Sequence, residues 1–172
     1  MKVTVALVIL ALLTSSAKAN QEPFMRYMKI TVTFLNFDTG ERSNIGTTYA
    51  SYDLRIKDHE IVAKTFEKGK ALETRFHLQT PEYLNFVAKT NDPSIPEMRG
   101  RFLNSDYEEC IMNADFIEQK LSVNGILTKI DQSHALSVKT MTNSLTGKVV
   151  GIVQEQVELI SEEAFLTATV QK

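Results

Sequence analysis

The chain has 172 residues, 43% hydrophobic and 23% charged, with a formal net charge of −2. That balance excludes a disordered or fibrous chain and makes one globular domain the natural count. The charge gives no basic excess for binding nucleic acid. One cysteine and seven glycines leave little material for a disulfide framework, a multi-cysteine metal site or a glycine-rich phosphate loop.

The first nineteen residues read as an export signal. Lys2 supplies a positive start, Val3 to Leu13 an apolar run, and Ala17-Lys18-Ala19 the small residues of a cleavage site. A run of eleven residues covers about 16 Å as a helix, short of the roughly 30 Å core of a bilayer, so the run is no anchor. Cleavage after Ala19 leaves residues 20–172 as one exported domain. No later stretch reaches the length of a membrane span. The lone Cys110 is then expected to be a half-buried free thiol in an oxidising compartment.

The exported part alternates in twos. Met28, Ile30, Val32 and Phe34 alternate with Lys29, Thr31 and Thr33, which predicts a strand with one wet face. A turn cluster over 36–46 follows, then a second strand with Tyr52, Leu54 and Ile56 on its apolar face. Asp58-His59-Glu60 reads as a hairpin turn before a strand over 61–66. Residues 70–86 break the pattern. Leu72, Phe76 and Gln79 have helical spacing, and Thr80-Pro81-Glu82 is a helix start with Tyr83, Leu84 and Phe86 as its apolar side. Asn91-Asp92-Pro93 and Pro96 force irregular chain. Strands are then expected over 120–130, 135–140, 148–156 and 165–170. About eight antiparallel strands with one helical insert suggest an all-β closed barrel or a sandwich.

The polar clusters carry no specific chemistry. His59, His77 and His134 lack metal-ligand spacing, so no metal site is expected. Asp131-Gln132-Ser133-His134 holds the residue types of a hydrolase triad, but adjacent in sequence, and reads as a turn. Glu108-Glu109 and Glu162-Glu163 read as solvated pairs. No catalytic residue stands out, and the chain is read as a binding protein, not an enzyme.

His77-Leu78-Gln79-Thr80-Pro81-Glu82-Tyr83-Leu84-Asn85 resembles the helical block of the YceI-like family. Val123-Asn124-Gly125-Ile126-Leu127-Thr128 is similar to that family's Gly-x-Leu-Thr strand, and a proline-containing turn followed by strands to the C-terminus matches in order. The resemblance implies a lipocalin-like antiparallel barrel of about eight strands that holds a polyisoprenoid, such as a quinone tail. The apolar residues expected to line it are Ile30, Val32, Phe34, Tyr52, Leu54, Ile56, Tyr83, Leu84, Phe86 and Leu127, with Leu84 and Phe86 on a helix across one end. It implies no cofactor beyond a bound isoprenoid lipid or quinone, no nucleic-acid partner, a periplasmic or secreted location, and a monomer or homodimer. The alternative is a non-catalytic interaction module, its barrel filled by its own side chains and acting through its surface.

Overall fold

The alternation along Met28, Ile30, Val32 and Phe34 does place one face inward. The computed structural model describes residues 24–55, 59–67, 70–79, 84–104 and 109–170. They form β1 (Phe24–Asn36), β2 (Arg42–Arg55), β3 (Glu60–Glu67), β4 (Lys70–Gln79) and β5 (Asn85–Thr90). β6 (Met98–Phe102), β7 (Cys110–Phe116), β8 (Leu121–Lys129), β9 (His134–Asn143), β10 (Val149–Ile160) and α1 (Glu162–Val170) follow. Each strand pairs antiparallel with the next, and β10 returns to β1, with Ile30 opposite Val157 and Phe34 opposite Val153. The result is a closed up-and-down barrel of ten strands, not about eight. Closure removes the sheet edges that would otherwise invite association.

Inward side chains from every strand fill the interior. Met28, Ile30, Ile61, Phe76, Phe86, Phe102 and Leu127 belong to one buried cluster. Within it Phe86 meets Phe76 edge-on at 5.3 Å and Phe102 at 5.1 Å, spacings at which aromatic pairs attract beyond their buried area.

Two expected elements differ. Residues 70–79 form strand β4 where helical spacing predicts a helix. Thr74, Phe76 and Leu78 are buried there, while Glu73, Arg75 and His77 face outward. Arg75 pairs with Glu60 of β3 at 3.1 Å and Glu73 with Lys64 of β3 at 3.5 Å, so the cross-strand partners of the outer face override the local helix preference. The helix start at 80–83 lies outside the described residues, as do the signal segment 1–19, Ile56 and Glu108. Residues 165–170, expected as a strand, belong to α1. Ser161 Oγ accepts the Ala164 N–H at 3.2 Å, a cap that decides the local structure against the β-branched residues that follow. This helix lies outside the barrel. Phe165 is buried against Tyr27, an outward residue of β1, at 4.8 Å, and Tyr27 Oη donates to Glu162 Oε1 at 2.8 Å.

Two hairpins use the same five-residue turn. In Asn36-Phe37-Asp38-Thr39-Gly40 and Asn143-Ser144-Leu145-Thr146-Gly147, the asparagine Oδ1 accepts two backbone N–H groups of its own turn. The turn closes on a glycine at φ 70° or 71°, where a side chain would be strained. The two turns are neighbours. The Phe37 N–H donates to the Val150 carbonyl at 3.1 Å, and Lys148 pairs with Asp38 at 2.5 Å. Ser144 N–H donates to the Lys120 carbonyl at 2.9 Å and ties in the β7–β8 hairpin. Up-and-down order puts these three hairpins at one end of the barrel.

Candidate functional site

That end is an apolar mouth. Phe34 is the last apolar residue of the inward row of β1, Phe116 ends that of β7, Leu121 opens β8, and Val150 is the second residue of β10. All four are half-buried, and they pack on a second buried cluster of Val123, Met141 and Val153. The hairpin tips around the mouth expose Phe37, Ile117 and Leu145, at 46%, 86% and 70%. Solvent therefore reaches apolar interior surface here, whereas the main cluster below is closed.

One layer beneath the mouth the interior holds a charge pair. Lys139 of β9 points inward between Ser137 and Met141, and Glu155 of β10 between Val153 and Val157. Lys139 Nζ donates to Glu155 Oε1, and the two side chains are 0% and 1% exposed. Glu155 stands in register with Ser137, itself buried. Lys139 stands beside Gly125 of β8, and a Cβ on that glycine would lie 2.9 Å from Lys139 Cγ. The missing side chain is the space the lysine stem occupies. Burial pulls the Lys139 ammonium below its usual range, and Glu155 partly restores it. Cys110 stands one strand further round. Burial pushes its thiol up to about 12, with Lys139 pulling weakly the other way. It is fully buried, not half-buried, and a poor nucleophile in that state.

The pair is not fully satisfied. Glu155 Oε2 is buried without a hydrogen-bond partner among the described residues, and so is Thr74 Oγ1 of β4. An unpaired buried acceptor carries the desolvation cost of its atom, about 1–3 kcal/mol and more for a charged group.

Of the residues expected to line a site, Ile30, Phe86 and Leu127 are in the main buried cluster, and Val32 and Leu84 are half-buried against it. Phe34 is at the mouth. Leu84 lies in the connection before β5, where its carbonyl accepts the Phe102 N–H at 2.8 Å, and Phe86 is on β5 itself; neither stands on a helix across the barrel end. Tyr52 and Leu54 take register positions on β2 opposite Arg26 and Phe24. Ile56 and Tyr83 lie outside the described residues. Lys139, Glu155 and the mouth residues Phe116, Leu121 and Val150 were not among those expected. The polar clusters are peripheral: Asp131 Oδ1 accepts the Ser133 and His134 N–H groups at 2.7 and 2.9 Å, which makes that segment a turn. Among the described residues no group of three His, Cys, Asp or Glu side chains could hold a metal ion, and no helix is long and apolar enough to cross a membrane.

No family model matches the chain, and no curated protein matches it. A solved structure does. An S-type phycobiliprotein lyase, CPES, from Guillardia theta matches over 80% of this chain and 88% of its own length, with a TM-score of 0.50 and 4% sequence identity. The likeness is one of fold: this chain is an all-β, lipocalin-like closed barrel with a short helix. It also corrects the expectation that the chain is not an enzyme. A lyase is built on this fold, so the lack of a catalytic motif in the sequence does not place the chain outside enzymes.

Proposed function

We propose that this protein is an exported small-molecule binder of the YceI-like type that takes an elongated amphipathic ligand, a polyisoprenoid or quinone tail, through the mouth at the Phe34 end of the barrel. The observation that carries the reading is that mouth. Phe34, Phe116, Leu121 and Val150 are inner-surface apolar groups left half-buried. Removing an isoprenoid tail from water hides hundreds of Å² of apolar surface, at about 25 cal/mol per Å². Such a ligand needs few polar contacts. Export is supported by the Lys2, Val3 to Leu13, Ala17-Lys18-Ala19 pattern. The family is supported by the order and spacing of residues 77–85 and 123–128. Native mass spectrometry of protein purified from its natural compartment tests the reading. A co-purifying lipid of isoprenoid mass is expected, on a chain beginning at Asn20. A bare chain overturns it.

A second reading has its own observation. The exposed tips Phe37, Ile117 and Leu145 on a barrel with a packed centre suit a module that works through its surface. The same mass measurement separates the two.

A further inference from the structure

The Lys139–Glu155 pair has a use beyond holding an apolar tail, and the following rests on the ligand-binding reading above. We propose that the pair is the anchor for the polar end of the ligand, and that this end is a neutral hydroxyl. The ligand then enters head first, its hydroxyl at Glu155 and its tail toward Phe34 and Leu121.

Three observations converge. First, the pair stands directly below the mouth. Val153, which floors the mouth, precedes Glu155 by two residues on the inward row of β10, and Met141 follows Lys139 by two residues on the inward row of the antiparallel β9. Second, the pair is incomplete. Glu155 Oε1 is taken by Lys139, while Oε2 is buried with no partner among the described residues. The lysine ammonium carries three N–H donors, one of them used on Glu155. The site therefore offers one free acceptor beside spare donors. Third, a buried ion pair is costly, and an apolar pair of similar volume in its place is often neutral or stabilising. Packing alone gives no reason for the pair at this depth.

Charge selects the ligand. Lys139 and Glu155 cancel, so a neutral head adds no net charge to the interior. A carboxylate head would place two carboxylates against one ammonium, and an amine head two cations against one carboxylate. Either leaves an uncompensated buried charge. Among neutral heads, an ether or a ketone only accepts and leaves Glu155 Oε2 unpaired. A hydroxyl donates to Oε2 and accepts from Lys139 Nζ at once.

The test uses two probes that differ at one atom group, farnesol and farnesyl methyl ether, measured by equilibrium dialysis against the exported protein stripped of lipid. The wild type should bind farnesol about tenfold tighter, equivalent to about 1.4 kcal/mol. In Lys139→Met/Glu155→Leu, which removes both charges together, the two probes should bind within about twofold of each other. Glu155→Gln is the second variant. It keeps an acceptor for Lys139 but turns the free position into an amide donor, and the ether should then bind at least as well as the alcohol. Equal binding of both probes by the wild type overturns the anchor and leaves the ligand-binding reading standing. So does a farnesol preference that survives in both variants. Binding of neither probe overturns both readings.

Discussion

Lys139 on β9 and Glu155 on β10 meet inside the barrel at 0% and 1% exposure, on neighbouring antiparallel strands. Removing one partner leaves the other as an unpaired buried charge. Lys139→Met or Glu155→Leu alone should each cost about 3–5 kcal/mol, whereas the double variant should lie close to the wild type. Urea unfolding of the four proteins checks this. Additive losses in the double variant would show that the two side chains do not act as a pair.

Cys110 supplies a pH dependence with a definite sign. Its thiol is raised from 9.0 to about 12 by burial. A raised pKa contributes stability that is fully present below pH 9 and is lost as the pH climbs toward 12. Three units correspond to on the order of 4 kcal/mol. Cys110→Ala should be less stable than the wild type at pH 7, by about 1–2 kcal/mol for the small void. It should lose less stability between pH 9 and 11. A thiol reagent at pH 8 should leave native Cys110 unmodified and label it in urea. Rapid labelling of the native protein would contradict its burial.

Gly100 of β6 is fixed by space. A Cβ there would lie 2.3 Å from Phe86 Cζ and 2.4 Å from the Ile111 carbonyl oxygen. The ring of Phe86 covers the glycine, and the backbone of β7 closes the other side. Gly100→Ala should therefore cost about 3 kcal/mol or more, at the upper end of overpacking. Adding Phe86→Leu should relieve the ring contact and not the backbone contact, so the double variant should remain well below Phe86→Leu alone. Thermal unfolding gives the comparison.

These residues also show which parts of the molecule the sequence reveals. β1 is legible because Met28, Ile30, Val32 and Phe34 are apolar while Lys29, Thr31 and Thr33 are polar. On β9 the same rule misleads. The inward residues are Ala135, Ser137, Lys139 and Met141, and the apolar Leu136 and Val138 stand on the other face. A reader of alternation puts Lys139 in water and misses the pair. β6 and β7 escape notice because Gly100 interrupts the apolar side of the five-residue β6, and the apolar Ile111 stands on the exposed side of β7. The helix at 162–170 carries a readable sign in Ser161 followed by Glu162 and Glu163, outweighed by the β-propensity of Thr167, Thr169 and Val170. Closure into ten strands depends on long-range pairing of β1 with β10, for which no local residue is a signal.

The mouth and the outer helix can be separated by paired variants. Leu121 opens β8 at the mouth, half-buried on the second cluster. Phe165 is buried beneath α1 on the outside of β1, against Tyr27. Phe165→Ala removes a large buried ring and should cost about 3–5 kcal/mol. It removes the ring that packs on Tyr27 at the outer wall of β1, so bound lipid per folded protein should stay at the wild-type level. Leu121→Ser removes an apolar group already partly in water. It should cost less stability, about 1–2 kcal/mol, yet place a hydroxyl in the path of the tail. Lipid per folded protein should then fall severalfold. Scoring retention against the folded fraction keeps lost stability from passing as lost binding. Equal retention in the two variants would remove the mouth as the route of entry. A fall in Phe165→Ala alone would move the binding surface to the helix on the outer wall.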